Sequence, residues 1–353
     1  VDTGIILQNG GTISGSAPLK PNGDAFYIYT PDSGTISARL QNKTTNPLYK
    51  AGPGNLTLNS TAGNNSYSGG TKVYQGTLTL AAGGGSGEIK NTLTIYPGAT
   101  VKLTANDALG YNSGACTTPI NIVGGTLDNA QSGNNGYITT FNLTGGTMTN
   151  SVANTGVQGF NFNGSSSAIN SLATNIVSTI YAPVVLRANG LTITTDQGTV
   201  PSGIDLSFMG GLVANGSSSF TKAGAGTLEL AGTGSTLSGG TITVNAGTVL
   251  VDSAPGAGSA AITVNNANSS LGGTGTVGGA VTMNAGTILS PGASSSAGVP
   301  LTCSGGVTFS GGAKATFDLS TTASGANDQI AVTGTLTIGS ADTITINPIT
   351  AST

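Results

Sequence analysis

The sequence predicts an all-β fold, a right-handed parallel β-helix (a β-solenoid) with three-sided coils of about 19–26 residues. Three observations predict it. First, one short sentence of residues occurs twice: Lys50-Ala-Gly-Pro-Gly-Asn-Leu-Thr-Leu58, Tyr67-Ser-Gly-Gly-Thr71 and Gly76-Thr-Leu-Thr-Leu80 return as Lys222-Ala-Gly-Ala-Gly-Thr-Leu-Glu-Leu230, Leu237-Ser-Gly-Gly-Thr241 and Gly247-Thr-Val-Leu-Val251. Second, within each piece apolar and hydroxyl residues alternate with period two, as a strand with one buried face requires. Third, the 353 residues include 58 glycines, no tryptophan and no histidine, and only 7% are charged, against about a quarter in ordinary domains.

Taken in chain order, residues 1–48 stand apart. Pro18, Pro21, Pro31 and Pro47 interrupt them, and Phe26, Tyr27 and Tyr29 form the densest aromatic cluster. A solenoid end exposes unpaired backbone and an open apolar column, so this segment is expected to be an N-terminal cap or docking element. The solenoid proper is expected over 49–353. Its clearest register sets Asn121-Ile-Val-Gly-Gly-Thr-Leu-Asp-Asn129 against Asn142-Leu-Thr-Gly-Gly-Thr-Met-Thr-Asn150. Residues 152–220 break that register and read as irregular coils. A second ladder then runs through Thr243-Val-Asn245, Thr263-Val-Asn265 and Thr282-Met-Asn284, and continues less regularly through Val307, Ile330 and Leu336.

This reading makes specific demands. Val244, Val264 and Met283 should share one inward column, as should Ile122 and Leu143. The pairs Gly69-Gly70, Gly124-Gly125, Gly145-Gly146 and Gly239-Gly240 should turn corners with positive φ. Asparagines at repeated corners should stack their amides. The alternating strand Ala341–Ile346 should leave an open edge, an asset for a subunit that stacks.

With the repeats laid out, the segment Phe220–Leu230, Leu237–Thr241 and Val244–Val249 resembles the autotransporter-associated β-strand repeat of large bacterial surface proteins. The copy at Lys50–Leu80 matches more loosely, with Tyr74-Gln75 where Asn-Ala is usual. The resemblance implies a parallel β-helix outside a bacterial cell, in a structural or adhesive role, and brings no catalytic residue with it. The chain opens at Val1 without a charged and apolar leader, as expected of a processed, secreted product.

The chemistry is sparse. Without histidine there is no Ser-His-Asp or Cys-His arrangement and no histidine-ligated metal, so no catalytic, cofactor-binding or metal residue is assigned and no enzyme is expected. Asp107 and Asp128 sit one expected coil length apart and could stack on adjacent coils, but solvated turn carboxylates are the plainer expectation. Asp196, Asp205, Asp252, Asp318, Asp328 and Asp342 do not cluster. In an unbroken solenoid Cys116 and Cys303 would lie too far apart to bridge, and are expected to be buried thiols, with an intermolecular bridge the alternative. The net charge of −3 offers no basic stripe for nucleic acid, and no apolar run is long enough for a membrane helix. The partners expected are copies of the same chain, joined head to tail through Phe26, Tyr27, Tyr29, Ile344 and Ile346. The functional expectation is a secreted, self-assembling structural subunit of an extracellular filament or surface layer. The alternative is an adhesin that contacts a host surface or glycan, and a polysaccharide-degrading enzyme comes third.

Overall fold

The structure, a computed structural model, describes residues 4–349 apart from 62, 112–116, 154–157, 165, 188–189, 217–218, 254–256, 293–297, 321–324 and 326. The chain divides into two compact units, Val1–Asn170 with Ser178–Val185, and Ser171–Val177 with Leu186–Thr353. Each is a parallel β-solenoid, and the described residues contain no helix.

In the first unit, one face is a ladder of parallel strands from Ile5–Ile6 to Ala168–Ser171, and a second runs from Gly11–Ile13 to Ser178–Ile180. The second unit repeats the plan, from Leu191–Thr195 to Leu336–Thr337 and from Leu206–Phe208 to Thr343–Ile349. The third side of the coil carries sheet only in places. The strands there are Asn134–Ile138, Gly159–Phe162, Val184–Leu186, Leu212–Ala214, Thr276–Val277, Leu301–Cys303 and Ile330–Val332. Elsewhere it is loop.

The columns form as the period-two pattern demands. Val244 lies opposite Val264, Val264 opposite Met283, and Ile122 opposite Leu143, all fully buried. One coil could not bury its own inward row, whereas each added coil covers the one before and pairs its backbone. The asparagines line up as expected. Asn142 donates to Asn121 at 2.8 Å and Asn170 to Asn142 at 2.9 Å, while Asn265 donates to Asn245 and Asn284 to Asn265 at 3.2 and 3.0 Å. In the four glycine pairs only one member takes positive φ: Gly70, Gly124, Gly145 and Gly239. The other member of a pair serves a different need. A Cβ on Gly125 would lie 2.6 Å from the Ile95 side chain of the coil before it.

Two expectations change. Coil length varies more than the repeats indicate. A short coil brings Ser270 opposite Ile288, and a far longer one brings Thr147 opposite Thr179. Third-side loops absorb such insertions at small entropic cost and leave the two faces undisturbed. Ile330 leaves the ladder of Val307 and Leu336 and pairs with Leu301 on the third side. Residues 4–48 are built from the same coils as those that follow. Ile5–Ile6 pairs with Phe26–Tyr29, which pairs with Leu48–Ala51, and Gly11–Ile13 pairs with Ser33–Ile36.

Candidate functional site

The charged side chains fasten corners. A strand alternating in–out puts Lys50 in the inward row after Leu48, stacked between Ile28 and Val73. Lys222 occupies the same place between Ile193 and Val244. Both are fully buried. Each ammonium is held by three carbonyl oxygens: Lys50 donates to Ala51, Gly52 and Gln75 at 3.0, 2.8 and 2.9 Å. Lys222 donates to Ala223, Gly224 and Ala246 at 2.9, 2.8 and 2.9 Å. Two acceptors belong to the lysine's own glycine turn and the third to the next coil, so the side chain pins consecutive corners. Gly52 and Gly224 shape the turn with φ of 84° and 77°. A Cβ there would lie 2.5 and 2.3 Å from the carbonyl oxygens of Thr30 and Thr195. Burial pulls both ammonium pKa values down to about 8. Since Gln75 contributes a main-chain carbonyl, its departure from the usual alanine leaves this cage intact.

The aspartates are fastened in the opposite sense, by backbone N–H groups of a neighbouring coil. Asp32 accepts from Asn9, Asp107 from Gly136, Asp128 from Ser151, Asp205 from Thr227, Asp252 from Thr274 and Asp342 from Ala313, at 2.8–3.0 Å. Asp128 and Asp205 are buried, not solvated turn carboxylates. Asp107 does not stack on Asp128, because the coil that brings Thr100 opposite Thr126 is longer than the spacing of the two aspartates and sets Lys102 opposite Asp128. Cys303 is free and buried, and burial pushes its thiol pKa up to about 11; Cys116 lies outside the described residues. Among the described residues no group of three or more His, Cys, Asp or Glu could hold a metal ion.

Among the described residues, two apolar surfaces carry the positions expected at an interface. The first lies on the flank of the first unit. In strand Phe26–Tyr29 the outward side chains are Tyr27 and Tyr29, 40% and 45% exposed, whereas Phe26 is 2% exposed and meets Tyr67 edge-on in the core. Phe26 is therefore not available as an interface anchor. Tyr27 leans on Tyr49, Tyr49 on Tyr74, and Tyr74 stacks on Tyr96, with ring centroids 5.3, 6.1 and 4.7 Å apart. Opposite Tyr29 stands the small Ala51, followed on the next coil by Tyr74. The missing ring leaves a pocket of about 520 Å³ walled by Tyr27, Tyr29, Tyr49 and Tyr74, with Ile5 and Ile6 on its rim. The sequence signal was a tyrosine on each of four successive coils, at 27, 49, 74 and 96, with a two-residue step between Tyr49, which lies opposite Lys72, and Tyr74.

The second surface is the last coil of the second unit. Ile344 faces Ala315, which faces Leu289, so Ile344 carries the buried column onward. Ile344 and Ile346 are nonetheless 73% and 60% exposed. Beside them an apolar cleft of about 210 Å³ is lined by Phe309, Phe317, Ile330, Leu336 and Ile338. Of the five residues expected at an assembly interface, then, Tyr27 and Tyr29 sit together in the first unit and Ile344 and Ile346 in the second. Ile5, Ile6, Tyr49 and Tyr74 were not foreseen.

The passenger-associated-transport-repeat family matches residues 48–80 and 220–251. Each stretch contains two strands of either face and one complete lysine cage, so the resemblance read from the repeated sentence holds at both copies. Comparison with curated proteins and with solved structures returned no match.

Proposed function

We propose that this chain is an extracellular, passenger-like β-solenoid with a structural role, and that copies of it assemble by stacking coil on coil. The two repeats support the passenger-like character and a place outside the cell. The observation that carries the assembly reading is the last coil of the second unit. Among the described residues, strand Thr343–Ile349 is paired on one side, with Lys314–Ser320, and the column residue Ile344 is exposed. What covers such a surface best is another coil of the same cross-section. In the first unit the strands Ile5–Ile6 and Gly11–Ile13 likewise pair on one side among the described residues.

Joining these edges between copies supplies main-chain hydrogen bonds and continues the apolar column. The contact is heterologous and propagates into a filament unless the rotation closes a ring. Tyr27 and Tyr29 play no part in this joint. Their strand is already paired on both sides, so their side chains stand on the flank. Sedimentation velocity and electron microscopy of the purified chain test the reading. Regular polymers should form with concentration and disappear in Ile344→Glu, a substitution at an exposed position whose unchanged urea midpoint shows that the coils remain folded. A parent chain that stays monomeric at high concentration, or an Ile344→Glu variant that polymerises normally, sinks it.

A further inference from the structure

We infer that the tyrosine-walled pocket on the first unit binds a neutral carbohydrate, seating pyranose rings against Tyr29 and Tyr74 over the Ala51 floor. The inference does not rest on the assembly reading, although Ile5 and Ile6, whose strand that reading joins to the next copy, also line the pocket. An aromatic row that served only to stack coil on coil would have no use for a gap, yet Ala51 interrupts it between Tyr29 and Tyr74. The resulting volume of about 520 Å³ lies within the ~300–1,000 Å³ typical of small-ligand sites. Ring-to-ring contacts with Tyr49 and Tyr96 hold the Tyr74 wall, and Tyr27 leans on Tyr49, before any ligand arrives, so little freedom of these side chains is lost on binding.

The chemistry of the lining selects the ligand. Its residues are glycine, alanine, isoleucine and tyrosine, with no charged side chain among them. The face of a phenol ring is electron-rich and attracts weakly positive C–H groups, which a pyranose presents on its apolar face. The phenol hydroxyls both donate and accept, which suits the hydroxyl edge of a sugar. An anionic lipid or nucleic acid would need cations, and the nearby Lys72 ammonium lies over the Tyr49 ring, 5.6 Å from its centroid.

The test is isothermal titration of the full chain with neutral tetrasaccharides (of β-linked glucose, N-acetylglucosamine and mannose), with a heparin tetrasaccharide and phosphatidylglycerol vesicles as anionic probes. The chain has no tryptophan, so tyrosine emission reports the same event. At least one neutral tetrasaccharide should bind with Kd of about 1 mM or tighter. Affinity should fall at least about tenfold in Tyr29→Ala and in Ala51→Phe, which fills the floor, and persist in Tyr181→Ala, at an exposed tyrosine outside the pocket. Unchanged urea midpoints would show that the variants are folded. The inference is overturned if no neutral probe binds, if binding survives Tyr29→Ala and Ala51→Phe, or if only the anionic probes bind. It is also overturned if the pocket variants abolish self-association and leave sugar binding intact.

Discussion

Lys222 places a charge where the stack calls for a methylene, between Ile193 and Val244. Removing an ammonium from water costs several kcal/mol, and here three carbonyl oxygens offset that cost. Lys222→Met keeps the apolar stem and leaves those carbonyls without their donor. Urea denaturation at pH 7 should show a loss of about 2–3 kcal/mol, against less than about 0.5 kcal/mol for Lys20→Met on the exposed surface. Equal losses would mean that the cage does not secure the corner. Glu88 also changes charge near neutrality. It is buried, and burial pushes its pKa up to about 7, against the pull of the Ser60 N–H, the Asn65 amide and the Lys90 charge. Unfolded, it titrates near 4.5. Between those values the folded chain holds a proton that the unfolded chain has released, so stability falls as pH rises from about 4.5 through 7. Glu88→Gln keeps the oxygen that accepts from Ser60 and Asn65. It should match the parent at pH 4.5 and exceed it by about 2–3 kcal/mol at pH 8. A parent with a flat profile over that range would show that the carboxyl is not held neutral.

The strand is the element on which this fold turns, and neighbouring residues show it. Val264 points into the column with Val244 and Met283, while Asn265 points outward and bridges Asn245 and Asn284. Val264→Asp buries an unpaired carboxylate and should cost about 4 kcal/mol or more. Asn265→Ala gives up exposed amide bonds and should cost less than about 1 kcal/mol by the same denaturation assay. If the two losses are similar, the in–out assignment of this strand is wrong. That assignment was legible in the sequence because period two and a nearly constant coil length leave few ways to align Thr243-Val-Asn245 with Thr263-Val-Asn265. The third side was not legible. Its loops carry no period, and they hold the insertions that stretch coils such as Thr147 to Thr179. The lysine cage was half legible: alternation after Leu48 and Phe220 sends Lys50 and Lys222 inward, but their acceptors are backbone carbonyls of a glycine turn, which no side-chain pattern reports. The tyrosine pocket was missed for a related reason. Its defining residue is a small one, Ala51, and a gap shows only when the rings around it are placed.

At the scale of the whole molecule, the question is whether charge contributes to cohesion through long-range fields or only through contact. Ten Lys and Arg and thirteen Asp and Glu are spread over 353 residues. The aspartates that fasten corners accept from backbone N–H groups, and the two caged lysines donate to backbone carbonyls. Such bonds act at about 3 Å and are made with neutral partners. Salt shortens the reach of a field from about 10 Å at 0.1 M to about 3 Å at 1 M and leaves contacts of this kind nearly untouched. The rest of each unit's cohesion is apolar burial, backbone pairing and bonds between neutral side chains such as the asparagine ladders, which sodium chloride alters little. Sulfate would not serve in the test, since it strengthens burial generally. The free energy of urea unfolding should therefore shift by less than about 1 kcal/mol between about 0.05 and 1 M sodium chloride, measured at pH 7 and at a concentration below the onset of polymers. A shift well above that, in the destabilising direction, would mean that ion pairs outside these corner contacts help to hold the coils together. A shift in the opposite direction would mean that like charges on the outward rows strain the fold until salt screens them.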